Sequence, residues 1–221
     1  VECRTQPPQF FVDFIQNHDQ TGNRAQGERL ITLAGAEKTR VLLATLLLSP
    51  HIPLLFMGEE FGETHPFLFF TDFHGELAKA VREGRAKEFT GHAGHDETVP
   101  DPNDLNTFVR STLDWDKLSQ EEGKSWLRFT RSLLTLRHRH IVPLLRQGGT
   151  VEGKILHTAH GRVAVSWQFP QGTLSLALNI GKKPAPMPEL AGETLFSWPE
   201  TGDVLPPNSI VVRFADGEAA L

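Results

Sequence analysis

At 221 residues, 39% apolar and 22% charged, the chain has an ordinary globular composition, with room for one large domain or two small ones around a real core. A net charge of -5 with no evident basic face argues against a nucleic-acid partner, and the longest apolar run, residues 41–48, is far too short to span a membrane. Cys3 is the only cysteine, which excludes an intrachain disulfide and points to a reducing compartment, the cytoplasm.

Residues 1–9, with Pro7 and Pro8, read as an irregular lead-in. Residues 10–15 are mostly apolar and read as a buried strand of the parallel-sheet kind. Directly after them come an amide, an imidazole and a carboxylate, Asn17, His18 and Asp19, and then Gly22 and Asn23 mark a loop. A strand that exits into polar residues and a loop is how a (β/α)8 barrel presents catalytic groups. The plainer reading has Asp19 capping the next helix and His18 packing near a strand end.

Residues 27–33 fit a short helix and residues 37–48 a stronger one. The second half of the latter, VLLATLLL, is apolar nearly all round and is expected to be buried on most sides. Ser49 precedes Pro50, which ends that helix. Residues 52–56 read as a second buried strand, followed by Met57-Gly58-Glu59-Glu60-Phe61-Gly62. A glycine beside paired carboxylates at a strand end suits close approach to a ligand; by themselves, Glu59 and Glu60 read as solvated loop acids. Residues 65–72 form an aromatic loop. Core packing is its default explanation, although pyranose rings can stack on such faces and Asp72 can bond hydroxyls. Residues 76–89 read as a charged helix.

Residues 90–104 are rich in Gly, Pro, His and Asp and read as an irregular excursion. His92, His95, Asp96 and Glu97 lack the spacing of a helical HExxH pair, and Gly91 and Gly94 argue against a helix, so no metal is assigned. Ser119 with Glu122 three positions on fits a capping box. The helix it opens carries Trp126, Phe129, Leu133 and Leu136 on one stripe and is expected to end near His140, ahead of Pro143. From Gly148 the period becomes two: Val163, Val165 and Trp167, then Leu174, Leu176 and Leu178, then Ile210, Val212 and Phe214. With turn signals at His160-Gly161, Pro170-Gln171-Gly172 and Pro206-Pro207-Asn208, this predicts a small antiparallel β domain with one face buried.

The string Ile15-Gln16-Asn17-His18-Asp19 resembles the fourth motif of the α-amylase superfamily of glycoside hydrolases, which lies at the end of the seventh barrel strand. The longer run QNHDQTGNRAQGERL resembles more specifically the malto-oligosyltrehalose trehalohydrolases, and so do PFLFFTD and ELAKAVREGRAKEF further on. The resemblance implies an α/β plus β fold. Residues 1–147 would be the C-terminal part of a (β/α)8 TIM barrel, its seventh and eighth strands with their helices, and residues 148–221 a small antiparallel β-sandwich domain. Asp19 is then expected to be the transition-state-stabilising carboxylate, and His18, Gln20, Arg24 and Glu60 to bind substrate, without metal or cofactor. The implied substrate is a malto-oligosaccharide, cut at the α-1,4 bond next to a terminal trehalose.

Retaining glycosidases need a nucleophile and an acid/base carboxyl about 5–5.5 Å apart. No stretch of these residues resembles the family's motifs for that Asp and Glu. The chain is also shorter than the roughly 250 residues of a complete barrel, and it begins at Val1. The expectation is therefore a C-terminal portion, inactive alone, with a missing N-terminal half as its partner. Its two barrel strands are expected to expose edges prone to self-association. Two other readings stay open: another amylase-type enzyme, such as a branching or debranching enzyme, and a non-catalytic carbohydrate-binding or scaffold protein.

Overall fold

A computed structural model describes residues 6–89, 99–148 and 151–217. His92, His95, Asp96 and Glu97 lie outside them. The first elements are β1 (Val12–Asp13), α1 (His18–Gly22), α2 (Leu30–Ala34), α3 (Ala36–Leu48), β2 (Ile52–Pro53), α4 (Gly75–Phe89) and α5 (Leu105–Arg110). After them come α6 (Glu121–Leu136), α7 (Val142–Arg146), β3 (Glu152–Ala159), β4 (Arg162–Phe169) and β5 (Gly172–Asn179). The chain closes with β6 (Ala185–Pro186), β7 (Glu193–Trp198), β8 (Val204–Leu205) and β9 (Ser209–Asp216). The chain forms two compact units. One draws on residues up to Ile15, on Ala36–Leu54 and on everything from Arg128; the other on Gln16–Gly35 and Leu55–Leu127.

In the first unit β1 and β2 pair in parallel, Val12 opposite Ile52 and Asp13 opposite Pro53. The two expected strands are therefore present, but each is two residues long, and neither is buried: Phe10 is 70%, Val12 57% and Leu54 48% exposed. Phe10 is spent in a 3-10 turn that starts at Pro8, and Pro53 has no N–H with which to extend the ladder. Beside the pair, His51 Nδ1 and Asp13 Oδ2 lie 2.5 Å apart.

The β-rich part of the same unit is a five-stranded antiparallel sheet in the order β3-β4-β5-β9-β7, with β6 and β8 paired separately. Its registers put Val163, Leu178 and Ile210 in one row, Val165, Leu176 and Val212 in the next, and Trp167, Leu174 and Phe214 in a third. These are the residues singled out by the period of two, and they share one face. Helix α3 packs on β5 and β9, and Val41, Leu43, Ala44, Leu46 and Leu47 are buried. The expectation of a single buried face needs correction. Ala164, Ala177 and Val211 on the opposite face are buried under Leu190 and Leu205, with Met187 packed alongside. Asn179 Nδ2 there donates to the Lys183 and Leu205 carbonyls and Arg213 Nη1 to the Leu190 carbonyl, while the buried Arg213 Nε has no partner among the described residues. Small and hydrogen-bonded side chains let the stretches around β6 and β8 lie down on a face that alternation marks as polar. The β3–β4 hairpin turns on His160 and Gly161, both with positive φ, as a two-residue turn demands.

Two helix boundaries also differ from expectation. Gln120, extended at φ -83° and ψ 151°, stands ahead of α6, while Ser119 Oγ donates back to the Asp116 carbonyl. The serine belongs to the 3-10 turn of residues 115–119, so it is not free to cap. Pro143 does not end the helical run either. Residues 137–141 form a π turn in which the Val142 N–H reaches the Arg137 carbonyl, and α7 follows with Pro143 in its first turn. The π turn already interrupts the regular i→i−4 ladder, so a proline in the first turn of α7 disrupts it little.

Arg137 is buried, and burial pushes its guanidinium below the ordinary arginine value. It donates to the carbonyls of Leu47 (3.0 Å), Ser49 (2.6 Å) and His51 (2.6 Å), which end α3 and lead into β2. Arg137→Met keeps most of the apolar stem and orphans three carbonyls. A loss of about 3 kcal/mol is expected in denaturant unfolding; a loss below about 1 kcal/mol would show that these bonds do not hold the α3–β2 connection.

Candidate functional site

The second unit carries Gln16, Asn17, His18 and Asp19 in succession, and each does something different. Gln16 is buried; its Nε2 donates to Glu59 Oε1 (2.9 Å), and its Oε1 accepts the Leu30 N–H (2.9 Å) that opens α2. Asn17 caps α1, its Oδ1 accepting the Gln20 N–H at 2.8 Å. The capping role considered for Asp19 thus falls to Asn17. His18 and Asp19 are left on the first turn of α1 with side chains 70% and 72% exposed, His18 Nε2 lying 3.3 Å from Asp19 Oδ1. An imidazole and a carboxylate held side by side and open to solvent can donate to and accept from adjacent hydroxyls of one ligand.

Of the other residues singled out by sequence, Gln20 is exposed on the same turn. Arg24 is committed to Glu28 through Nε at 3.1 Å and a second contact at 3.3 Å. Burial pushes Glu28 up, but the Arg24 bond and nearby backbone N–H groups outweigh it and hold Glu28 below the usual carboxylate range. Glu60 is half-buried in the 3-10 turn Glu59–Phe61, within electrostatic reach of Arg29 and Glu59. Glu59 is not the solvated loop acid that its sequence context suggests. It is buried, accepting from Gln16 through one oxygen and from the Phe56 N–H (3.1 Å) through the other.

Sequence reasoning missed the frame around these residues. Arg29 is fully buried, donating to the His65 carbonyl (2.6 Å) and the Met57 carbonyl (2.7 Å), its guanidinium 4.9 Å from the centroid of the Phe56 ring. One of its terminal nitrogens carries no hydrogen bond among the described residues. Burial lowers its pKa, against the attraction of Glu63, Glu59 and Glu60. Glu63 accepts from the N–H groups of Thr64, His65 and Asp114, and Lys117 Nζ donates to the Gly62 carbonyl. Arg85 of α4 donates to the carbonyls of Gly22 (2.8 Å) and Arg24 (3.0 Å), where α1 ends, while sitting over Phe69 and Phe89 and pairing with Glu88. Gly27, at φ +59°, accepts the Phe67 N–H so closely that a Cβ would lie 2.4 Å from the Phe67 oxygen. The segment carrying His18–Asp19 is therefore tied to the aromatic loop and to α4. Arginines in an apparently charged, solvated stretch gave no sequence signal for this.

Two measurements probe the frame. Burial first, and Glu60 to a lesser degree, push Glu59 up to about 7 from an ordinary 4.5, against the bonds from Gln16 and Phe56 and the pull of Arg29. An acid raised in the folded state holds its proton there longer than in the unfolded chain. Its stabilising contribution is thus complete below pH 4.5 and is lost as pH rises through about 7. The shift corresponds to at most about 3 kcal/mol. Glu59→Gln should remove this dependence, so wild type should lose stability relative to the variant as pH rises from 4.5 through about 7; a constant gap would refute it. Arg85→Met should cost about 2 kcal/mol and raise amide exchange across residues 18–24 roughly tenfold. Unchanged exchange there would mean that α4 does not hold α1.

No family model matches the sequence. The chain is 42% identical over 176 residues to the malto-oligosyltrehalose trehalohydrolase of Deinococcus radiodurans, taking in 76% of this chain and 29% of that protein. Among solved structures it is 66% identical, with a TM-score of 0.92, to a Salmonella typhimurium protein provisionally assigned as an alpha amylase, over 97% of this chain and 37% of that one. The isomaltulose synthase of Klebsiella sp. LX3, at 16% identity and a TM-score of 0.59 over 92% of this chain and 42% of its own, shares the fold alone. Curated relatives are thus matched over only 23–33% of their length. By these relationships the chain belongs to the malto-oligosyltrehalose trehalohydrolase family, within the α-amylase-type glycoside hydrolases, and spans about a third of a member's length.

Proposed function

We propose that these residues are part of a retaining glycoside hydrolase that cuts the α-1,4-glucosidic bond beside the terminal trehalose of malto-oligosyltrehalose and releases trehalose. The observation that supports this reading is the exposed His18–Asp19 pair on a turn braced by Gln16, Asn17 and Arg85. In such a reaction the sugar ring passes through an oxocarbenium-like state. Asp19, as the third carboxylate, accepts hydrogen bonds from sugar hydroxyls and strengthens them as positive charge develops, while His18 donates to the same ring. Gln20 and Glu60 contribute further substrate contacts, and Arg24, oriented by Glu28, adds a donor.

In this reading residues 1–147 are barrel and residues 148–221 the β domain. The nucleophile and the acid/base come from the remainder of the polypeptide, which also covers the exposed Phe10, Val12, Ile52 and Leu54 along β1 and β2. The chain alone is then inactive and self-associates through that uncovered edge. No described helix is long and apolar enough to cross a membrane, and the single cysteine favours the cytoplasm. A second reading, another amylase-type activity on longer glucans, draws on the assignment of the Salmonella relative.

The test uses the whole protein with malto-oligosyltrehalose. Wild type should release trehalose, and Asp19→Asn should lower kcat by roughly 10²–10³-fold with its circular dichroism unchanged. Full activity in the variant removes Asp19 from the catalytic set, and release of maltose without trehalose selects the second reading.

A further inference from the structure

Within the second unit, Phe70, Thr71, Asp72, Asn103, Asp104, Leu105 and Phe108 line an open pocket of about 450 Å3 that the Asp19 site does not use, with Asp72, Asp104, Leu105 and Phe108 exposed. Its volume lies in the range of small-ligand pockets, about 300–1,000 Å3. Two aromatic rings form one wall, Phe70 and Phe108 meeting edge-to-face at 5.3 Å, with Phe108 still 47% exposed. The polar groups divide into braces and open acceptors. Asn103 is a brace: its Oδ1 accepts from Thr71 Oγ1 and the Phe73 N–H, and its Nδ2 donates to the Ala78 carbonyl. The Thr71 N–H is likewise taken by the Pro102 carbonyl. Asp104 spends one oxygen on the Asn106 N–H and keeps the other. The Asp72 carboxylate has no hydrogen bond among the described residues and stands at the cavity, ready to accept.

A wall with flat apolar faces and two carboxylate acceptors, with no cation among the described residues of its lining, discriminates among ligands by simple chemistry. Anionic ligands, sugar phosphates included, are repelled. A neutral polyol ring satisfies both features, since its C–H face covers an aromatic ring while adjacent hydroxyls donate to the carboxylates. We propose that this cavity is a second binding subsite for a glucosyl unit of a neutral glucan, separate from the His18–Asp19 turn; the choice of a glucan rests on the glycosidase reading above. Phe67 connects the two places, its ring contacting Phe70 and lying against Gly22 at the end of α1.

The chain can be titrated with maltoheptaose and, as the anionic control, glucose 1-phosphate, by nuclear magnetic resonance. Saturable maltoheptaose binding is expected, with no response to the phosphate. Phe108→Ala and Asp72→Asn should each weaken it at least about fivefold, and Asp19→Asn should leave it unchanged. The aspartate variant guards against a fold lost on removing the ring. No binding to the chain, equal binding by both cavity variants, or binding lost only in Asp19→Asn would overturn the proposal. In the whole protein Asp72→Asn should raise KM with kcat held, the pattern of binding shared by ground and transition states; an unchanged KM would show the cavity to be closed to substrate there. A hydrolase that loses activity in Asp19→Asn but shows none of these cavity effects would keep the glycosidase reading and discard the subsite.

Discussion

Buried guanidinium groups bonded to backbone carbonyls are the interaction on which both units rest. Short elements leave many carbonyls without partners: β1 and β2 are two residues each, and α1 and α2 five each. Arg137 gathers three such carbonyls after α3, Arg29 two on either side of the Glu59 turn, and Arg85 two at the end of α1. Arginine suits this because one planar fork reaches several acceptors at once and hydrates weakly enough to be buried. Lysine offers a single point of charge, and Lys117 accordingly serves a smaller bracket, the Gly62 carbonyl and Thr64 Oγ1.

That bracing explains how a candidate catalytic pair can be both exposed and fixed. Gln16 and Asn17 absorb the structural duties of the motif, one bonding Glu59 and opening α2, the other capping α1. His18 and Asp19 need do neither, so their polar atoms face solvent. The arrangement has a cost at Glu59, a carboxyl withdrawn from water whose only close rewards are two N–H donors and a nearby arginine. Structural and chemical roles are thus divided residue by residue within four consecutive positions.

The antiparallel sheet shows the same division on a larger scale. Its face toward α3 is a continuous apolar surface of Val, Leu, Ile and aromatic side chains, contributed in register by β4, β5 and β9. The opposite face carries Ala164, Ala177 and Val211 with Asn179 and Arg213, and is covered by Met187 and Leu190 ahead of β7 and by Leu205 of β8, which bring both apolar cover and backbone acceptors. Hydrophobic burial places the first face, and hydrogen-bond satisfaction makes the second one possible.

Local pattern determined a good deal. Apolar runs and a change of period identify α3 and the strands β4, β5 and β9, because these depend on neighbours close in sequence and on which face is apolar. The order Asn17-His18-Asp19 after a strand was legible for the same reason, as were the turns at His160-Gly161 and Pro206-Pro207-Asn208. Tertiary structure alone decided that Glu59 is buried by Gln16, 43 positions away, that Arg85 reaches Gly22 across 63, and that Arg137 reaches Leu47 across 90. It also decided that Pro143 stays within a helical run and that β1 and β2 remain two residues long. A charged side chain looks the same in sequence whether water or a distant carbonyl solvates it, and only the folded chain brings that carbonyl within reach.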